Sequence, residues 1–255
     1  MIALVTGASS GIGRSLALQF AAGGCDLVLT ARSEPALQEL ARQVRALGRT
    51  AHVIAADLGA AGGASQLHQT MTREAINVDV LVNNAGFGLQ GRFDTLPLDR
   101  QLAMLQLNVT SLTALTRLLL PGMLARNTGG LLNVASTAAF QPGPLMTVYY
   151  ATKAYVLSFT EAVAEEVAES RLKVTCLCPG PTHTGFVKAA AMTGSRLFKA
   201  GAMTAEEVAR QGFDGWSAGK RVVIPGFRNR LGAFSVRLVP RRIVPKIVKQ
   251  MNVVE

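Results

Sequence analysis

The sequence predicts an α/β protein built on a doubly wound parallel sheet of about seven strands. Three observations carry this. Strand-like and helix-like stretches alternate along the chain. The strand-like stretches are unbroken apolar runs, without the polar alternation of a half-exposed strand, so both faces of the sheet are covered. A Gly-rich turn, Thr6-Gly7-Ala8-Ser9-Ser10-Gly11-Ile12-Gly13, joins the first strand to the first helix.

Ile2–Thr6 is the first apolar run, and Gly11–Ala22 follows with helical periodicity. Asp26–Ala31 reads as the second strand. Ser33 then stands where an N-cap belongs, with Pro35 in the first turn of a helix running to about Leu47. Ala51–Ala56 is a strand, Ala64–Ala75 a helix and Val78–Asn83 a buried strand. Long helices are expected over Asp99–Arg126 and Thr147–Ser170, with the strand Leu131–Ala135 between them. Leu172–Cys178 and Arg221–Ile224 complete the set. Repeated βα units require right-handed crossovers and hence a doubly wound, Rossmann-like sheet. The 255 residues fit a single domain, residues 1–255, with a small helical substrate lid over 185–219 and a basic helical tail over 226–255.

Composition narrows the setting. The net charge is +10, but residues 220–255 hold nine of the 26 Lys and Arg and one of the 16 Asp and Glu. The body is near neutral and the tail basic. Without a nucleic-acid motif, that distribution argues against a nucleic-acid partner. No run of 18 uncharged apolar residues occurs, since Arg117 and Pro121 break the longest stretch. No basic n-region or cleavage site precedes the first strand, which predicts no signal peptide. The three cysteines, Cys25, Cys176 and Cys178, form no disulfide framework, and Cys-x-Cys in an apolar strand reads as core packing. His52, His68 and His183 lack ligand spacing, so no metal is expected. A cytoplasmic location follows, with peripheral contact at the inner membrane surface left open by the tail.

The Gly-rich turn fits a dinucleotide. Gly7 permits the tight turn, Gly11 lets the backbone approach a pyrophosphate, and Gly13 lets helix and strand pack closely, while the helix N-terminus presents free N–H groups. Alone, such a turn is weak evidence; its strand-turn-helix setting strengthens it. Arg32 follows the second strand, where a Rossmann-like unit meets the adenosine ribose. An acid there would repel a 2′-phosphate and a guanidinium suits one, so NADP(H) is expected over NAD(H). The bland alternative is a solvated arginine opening a helix.

Tyr149 and Lys153 stand at i and i+4, on one helical face, and Ser136 precedes the tyrosine by 13 residues. A phenol titrating near 10 needs a neighbouring ammonium to cycle protons at neutral pH. Tyr150 has Ala154 at i+4, and is assigned to packing or to a subunit surface.

With these residues the chain resembles the short-chain dehydrogenase/reductase family. Thr6–Gly13, Asp57, Asn-Asn-Ala-Gly at Asn83–Gly86, Asn108, Ser136, Tyr149, Lys153 and Pro-Gly-Pro-Thr at Pro179–Thr182 carry the match, over about residues 1–185. The resemblance implies a nicotinamide-dependent carbonyl/alcohol oxidoreductase. Tyr149 would be the acid/base, Ser136 would orient the substrate oxygen, and Asn108 would anchor a water relaying protons to Lys153. Lys153 would also hold ribose hydroxyls, with Tyr149 beside it at the cofactor. Ser9, Ser10, Gly11 and Ile12 belong to the pyrophosphate turn. Asp57 would meet the adenine; Asn83, Ala85 and Gly86 would wall the adenosine and nicotinamide. Pro179, Gly180 and Thr182 would flank the carboxamide, and Thr184 that group or the pyrophosphate. The family's usual assembly implies a homodimer or homotetramer through the two long helices.

Beyond residue 185, Phe186, Met192, Leu197, Phe198, Met203, Phe213 and Trp216 suggest an apolar lid, and Phe87, Phe140, Pro142, Pro144 and Met146 border the motifs. An apolar ketone or aldehyde is the expected substrate, with an oxoacyl thioester of lipid metabolism as the alternative and a low-turnover binding module as the rival class. His183 either touches substrate or faces solvent. The tail alternates Phe227, Leu231, Phe234 and Leu238 with Arg228, Arg230 and Arg237; a second piece holds Ile243, Val244, Ile247 and Met251. It could lie on an anionic membrane, fold back over the pocket or meet a sister subunit; packing against the protein is favoured.

Overall fold

A computed structural model describes residues 1–185 and 201–253. The apolar runs become β1 (Ile2–Thr6), β2 (Asp26–Ala31), β3 (Ala51–Ala55), β4 (Val80–Asn83), β5 (Gly130–Val134), β6 (Lys173–Leu177) and, later in the chain, β9 (Val222–Val223). They form one seven-stranded sheet in the order β3-β2-β1-β4-β5-β6-β9. Every pairing in it is parallel. The order reverses between β1 and β4, which opens a crevice at their carboxyl ends, where ligands of open α/β sheets bind. A two-residue pair, β7 (Thr182–His183) with β8 (Met203–Thr204), stands apart from this sheet.

One face is covered by α1 (Gly11–Ala22), α2 (Glu34–Ala46) and α7 (Ala205–Ser217). Phe20 stacks edge-on with Phe213 and tilted against Trp216, each at a centroid distance of 5.0 Å. This corrects the expected lid: Phe213 and Trp216 pack into the core beneath α1, because α7 lies along that helix. Phe186, Met192, Leu197 and Phe198 of the expected lid lie outside the described residues.

The other face is covered by α3 (Gly63–Arg73), α5 (Leu112–Arg126) and α6 (Thr147–Glu166). The helix expected over Asp99–Arg126 is interrupted: α4 (Leu98–Leu105) runs into a π-helical turn, Gln106–Ser111, before α5. The whole stretch is long and apolar enough to cross a membrane by length and composition. Met104, Leu115 and Met123 are nevertheless buried, as in a core helix. Ser33 occupies the N-cap of α2, as expected, but its hydroxyl makes no cap bond. Cys176 and Cys178 are buried on one side of β6, their sulfurs 3.7 Å apart, within the cluster that includes Val156.

The tail forms α8 (Phe227–Ser235) and α9 (Val244–Asn252). Val244 and Val248 are buried against Met146 and Tyr150. The Tyr150 hydroxyl donates to Asn252 Oδ1 at 3.2 Å, Asn252 Nδ2 donates to the Pro144 carbonyl at 2.9 Å, and Gln90 Nε2 donates to the Asn252 carbonyl. Tyr150 is thereby a packing residue, and α9 folds back on the body as favoured. The apolar side chains of α8 do not: Phe227, Leu231, Phe234 and Leu238 remain exposed.

Candidate active site

The crevice starts where β1 and β4 end side by side. Gly7 has φ +66°, a left-handed turn that a side chain would strain, and a Cβ there would stand 2.9 Å from the Ala85 Cα. A Cβ on Gly13 would fall 2.4 Å from the Gly7 carbonyl oxygen and 2.3 Å from Asn84 Nδ2. The first turn of α1 is thus wedged against the end of β4. Asn84 Nδ2 donates to the carbonyls of Thr6, at 2.9 Å, and Gly7, at 3.3 Å. Thr6 Oγ1 accepts from the backbone N–H groups of Asn84 and Ala85 and donates to the Val82 carbonyl. Thr6 and Asn84, which the sequence placed within motifs without a role of their own, fasten the two strand ends. The signal was available: β4 stops at Asn83, so the residue after it is the one that meets the turn.

Asn83 requires a correction. Expected at the wall of the crevice, its side chain is buried in the interior, donating to Thr116 Oγ1 at 3.1 Å and Asn133 Oδ1 at 2.9 Å. Asn133 in turn donates to Thr160. A strand buried on both faces can hold an asparagine only if other side chains complete its hydrogen bonds, and this row of four does so.

Gly7, Ser9, Ser10, Gly11, Ile12, Arg32, Asp57, Ala85, Gly86, Ser136, Tyr149, Lys153, Pro179, Gly180, Thr182 and Thr184 line a single cavity of about 780 Å³. That volume lies within the range of ligand clefts, roughly 300–1,000 Å³. Ser10 sits at the N-cap of α1 in extended conformation with no side-chain cap bond, so the helix start offers donors and the positive end of its dipole to an anion. Arg32 lines the cavity beside Ala31 and Ser33, exposed, and makes no hydrogen bond or ion pair among the described residues. Asp57 Oδ1 accepts from the Gly59 N–H at 2.8 Å. These features fit a dinucleotide: glycine backbone where the chain must come close and a helix N-terminus facing its phosphates, with the Arg32 guanidinium beyond the second strand.

At the other end, Ser136 Oγ accepts from the Ala138 N–H and donates to the Pro179 carbonyl at 3.4 Å, opening a short 3-10 turn, Thr137–Phe140. Ser136 also hydrogen-bonds the Tyr149 side chain. Burial raises the Tyr149 phenol above its ordinary pKa, and the Ser136 bond opposes this. Lys153 Nζ donates to the Val134 carbonyl at 2.8 Å and lies 5.8 Å from the centre of the Tyr149 ring. Burial pulls its pKa down to about 8. The sequence led to an expected phenol lowered by its lysine; here burial raises the phenol, and the lysine is the group brought towards neutrality.

Asn108 does not line the cavity. It is buried in the π-helical turn, where Oδ1 accepts from the Phe87 N–H and Nδ2 donates to the Phe87 carbonyl and to Thr152 Oγ1. Its side chain therefore clamps the loop after Gly86 to α6, one residue before Lys153. π-turns recur at functional sites because they displace the backbone from regular pairing. His183 faces solvent outside the cavity. Phe87 and Met146 do line it, and the Arg100 guanidinium, unnoticed in the sequence, stands 5.5 Å above the Phe87 ring at its edge. Asn229 of α8 presses on Gly180, where a Cβ would meet its Oδ1 at 2.3 Å.

The chain matches the short chain dehydrogenase family over residues 1–193. It is 34% identical over 180 residues to a 3-oxoacyl-[acyl-carrier-protein] reductase of Synechocystis, covering 70% of this chain and 73% of that one. Among solved structures, the short-chain dehydrogenase from Sphingobium yanoikuyae in complex with NADPH superimposes with a TM-score of 0.83 at 30% identity, over 93% of each chain. The bulky-bulky ketone specific alcohol dehydrogenase from Comamonas testosteroni gives 0.78 at 28% identity, over 93% of this chain and 92% of that one.

Proposed function

The chain belongs to the short-chain dehydrogenase family of oxidoreductases, and from that premise we propose that it interconverts an apolar ketone or aldehyde and its alcohol with NADP(H). The observation that carries the reading is the Ser136–Tyr149 hydrogen bond, with Lys153 on the same helical face, at one end of a cavity whose other end is the Gly-rich turn. Gly7, Ser9, Ser10, Gly11 and Ile12 would hold the pyrophosphate, Arg32 the 2′-phosphate, and Pro179, Gly180 and Thr182 the nicotinamide end. When bound, the reduced nicotinamide supplies a hydride.

The chain's own groups handle the proton. Ser136 donates to the substrate oxygen and fixes it beside the phenol. Tyr149 releases its proton to that oxygen as negative charge develops there. Lys153, charged, steadies the resulting phenolate and keeps it from being an isolated buried anion. Asn108 positions this unit by tying the Phe87 loop to α6.

Support for NADP(H) comes from the exposed Arg32 and from the NADPH held by the Sphingobium protein; support for a bulky apolar carbonyl comes from Phe87, Met146 and the specificity named for the Comamonas protein. A second reading, reduction of a 3-oxoacyl thioester, is favoured by the Synechocystis relative. Coenzyme consumption should be followed with NADPH and NADH over aldehydes, ketones graded by size, and oxoacyl thioesters. Tyr149→Phe is expected to lose about a thousandfold or more in turnover while NADPH affinity stays within about threefold. Equal loss of binding would assign Tyr149 a structural role, and turnover restricted to small polar carbonyls would overturn the substrate class.

A further inference from the structure

The outer face of α8 has no partner among the described residues. Phe227, Leu231 and Phe234 are 78%, 58% and 56% exposed, and Leu238, in the turn after the helix, is 72% exposed. At 100° per residue the three on the helix, Phe227, Leu231 and Phe234, stay within an arc of about 60°. Large apolar residues repeated along one exposed line are not the scattered ones every surface carries. The opposite side of the segment is used: Ala233 is buried, and Val236 and Val239 pack against the cluster of Tyr150, Met146 and Val248. The segment is anchored from within and apolar without. A second, shorter line continues it on α9, where Ile243, Ile247 and Met251 are 46%, 46% and 41% exposed beside the buried Val244, Val248 and Asn252.

Charge selects the occupant. Arg228, Arg230, Arg237, Arg241, Arg242 and Lys246 are all exposed around these lines. None of them forms an ion pair among the described residues. Residues 220–255 contain a single acid, Glu255. A second copy brought face to face would oppose these cations to their like. A bilayer bearing anionic headgroups complements them while its acyl boundary accepts the aromatic and aliphatic stripe. We propose that α8 and the exposed edge of α9 form a peripheral docking surface for an anionic lipid bilayer. Because Asn229 of the same helix presses on Gly180 at the cavity wall, docking would set the cavity mouth near the lipid.

The full-length protein would be sedimented with vesicles of phosphatidylcholine alone and with about one third phosphatidylglycerol. Pelleting with the anionic vesicles only is expected. The triple substitution Phe227→Gln, Leu231→Gln, Phe234→Gln should lower the bound fraction about tenfold or more, and Arg241→Glu with Arg242→Glu should do the same at low salt. These side chains are exposed, and an unchanged thermal midpoint would show that the variants fold. Wild-type protein left in the supernatant with both vesicles, or a triple variant that pellets like the wild type, overturns the proposal. So does a self-associated species, seen by sedimentation velocity, that the triple substitution dissociates while vesicle binding is absent: the stripe would then join copies of this chain.

Discussion

The hydroxyl of Tyr150 donates to Oδ1 of Asn252 across 102 residues of sequence, with Asn252 wholly buried. The bond ties the tail to the residue next to Tyr149. Asn252 Nδ2 meets the Pro144 carbonyl in the same pocket. Asn252→Ala removes both bonds and leaves the buried Tyr150 hydroxyl and the half-buried Pro144 carbonyl without these partners. A loss of about 2–4 kcal/mol is expected, read as a lower urea midpoint, together with a raised KM for carbonyl substrate and little change in NADPH affinity. An unchanged midpoint would mean that these two hydrogen bonds contribute nothing to the fold.

In the proposed mechanism Lys153 is expected to set the pH dependence. Its folded pKa, about 8, lies below its ordinary value because the ammonium is buried. The charged form is the one that supports Tyr149, so the rate of reduction should fall as pH rises through about 8. Stability runs the other way. A group with a depressed folded value contributes fully above its unfolded pKa and loses that contribution as pH falls through the folded one. The wild-type protein should gain about 3 kcal/mol relative to Lys153→Met between pH 8 and the ordinary lysine range. Lys153→Arg, which keeps its charge, should show a flat rate over that window at reduced turnover. Parallel rate profiles for wild type and Lys153→Arg would remove Lys153 from the account.

Arg32 discriminates between cofactors if its guanidinium reaches the 2′-phosphate. Arg32→Ala should raise KM for NADPH about 10- to 100-fold, the scale of a charge-assisted contact, and leave NADH alone. Equal effects on both would make Arg32 an ordinary exposed arginine.

Asn83 offers a test of its corrected placement. Asn83→Ala strips partners from Thr116 and Asn133 in the buried row, and should cost about 2–3 kcal/mol in stability with NADPH affinity unaltered in the folded fraction. Asn84→Ala, which unfastens the Gly-rich turn, should weaken NADPH binding. The opposite pattern would return Asn83 to the cofactor wall.

The strands were readable because a doubly covered strand leaves an apolar run, as the starts of β1 (Ile2–Thr6) and β4 (Val80–Asn83) do. Tyr149, Lys153 and Ser136 were readable from residue type and spacing. What escaped depends on direction and not on type. Whether Asn83 or Asn84 faces the crevice turns on where β4 stops. Phe213 and Trp216 looked like pocket residues because periodicity reports an apolar face without naming what covers it; α1 does. The tail shows the same ambiguity twice: α9 found its partner in Met146 and Tyr150, whereas α8 displays a similar pattern outward. Asn108 was recognised, but the π-helical turn that holds it has no composition of its own.

That turn bears on which length changes the chain tolerates. Between Gln106 and Ser111 the backbone accommodates an extra residue relative to a regular helix. Deleting one residue there would let the α-helix close while Leu112–Arg126 kept their faces, so Leu115 and Met123 would stay in the core. Asn108 would lose the widened turn that aims it at Phe87 and Thr152. A one-residue deletion at these six positions is therefore expected to spare the sheet and its covering helices and to release the loop after Gly86 from α6.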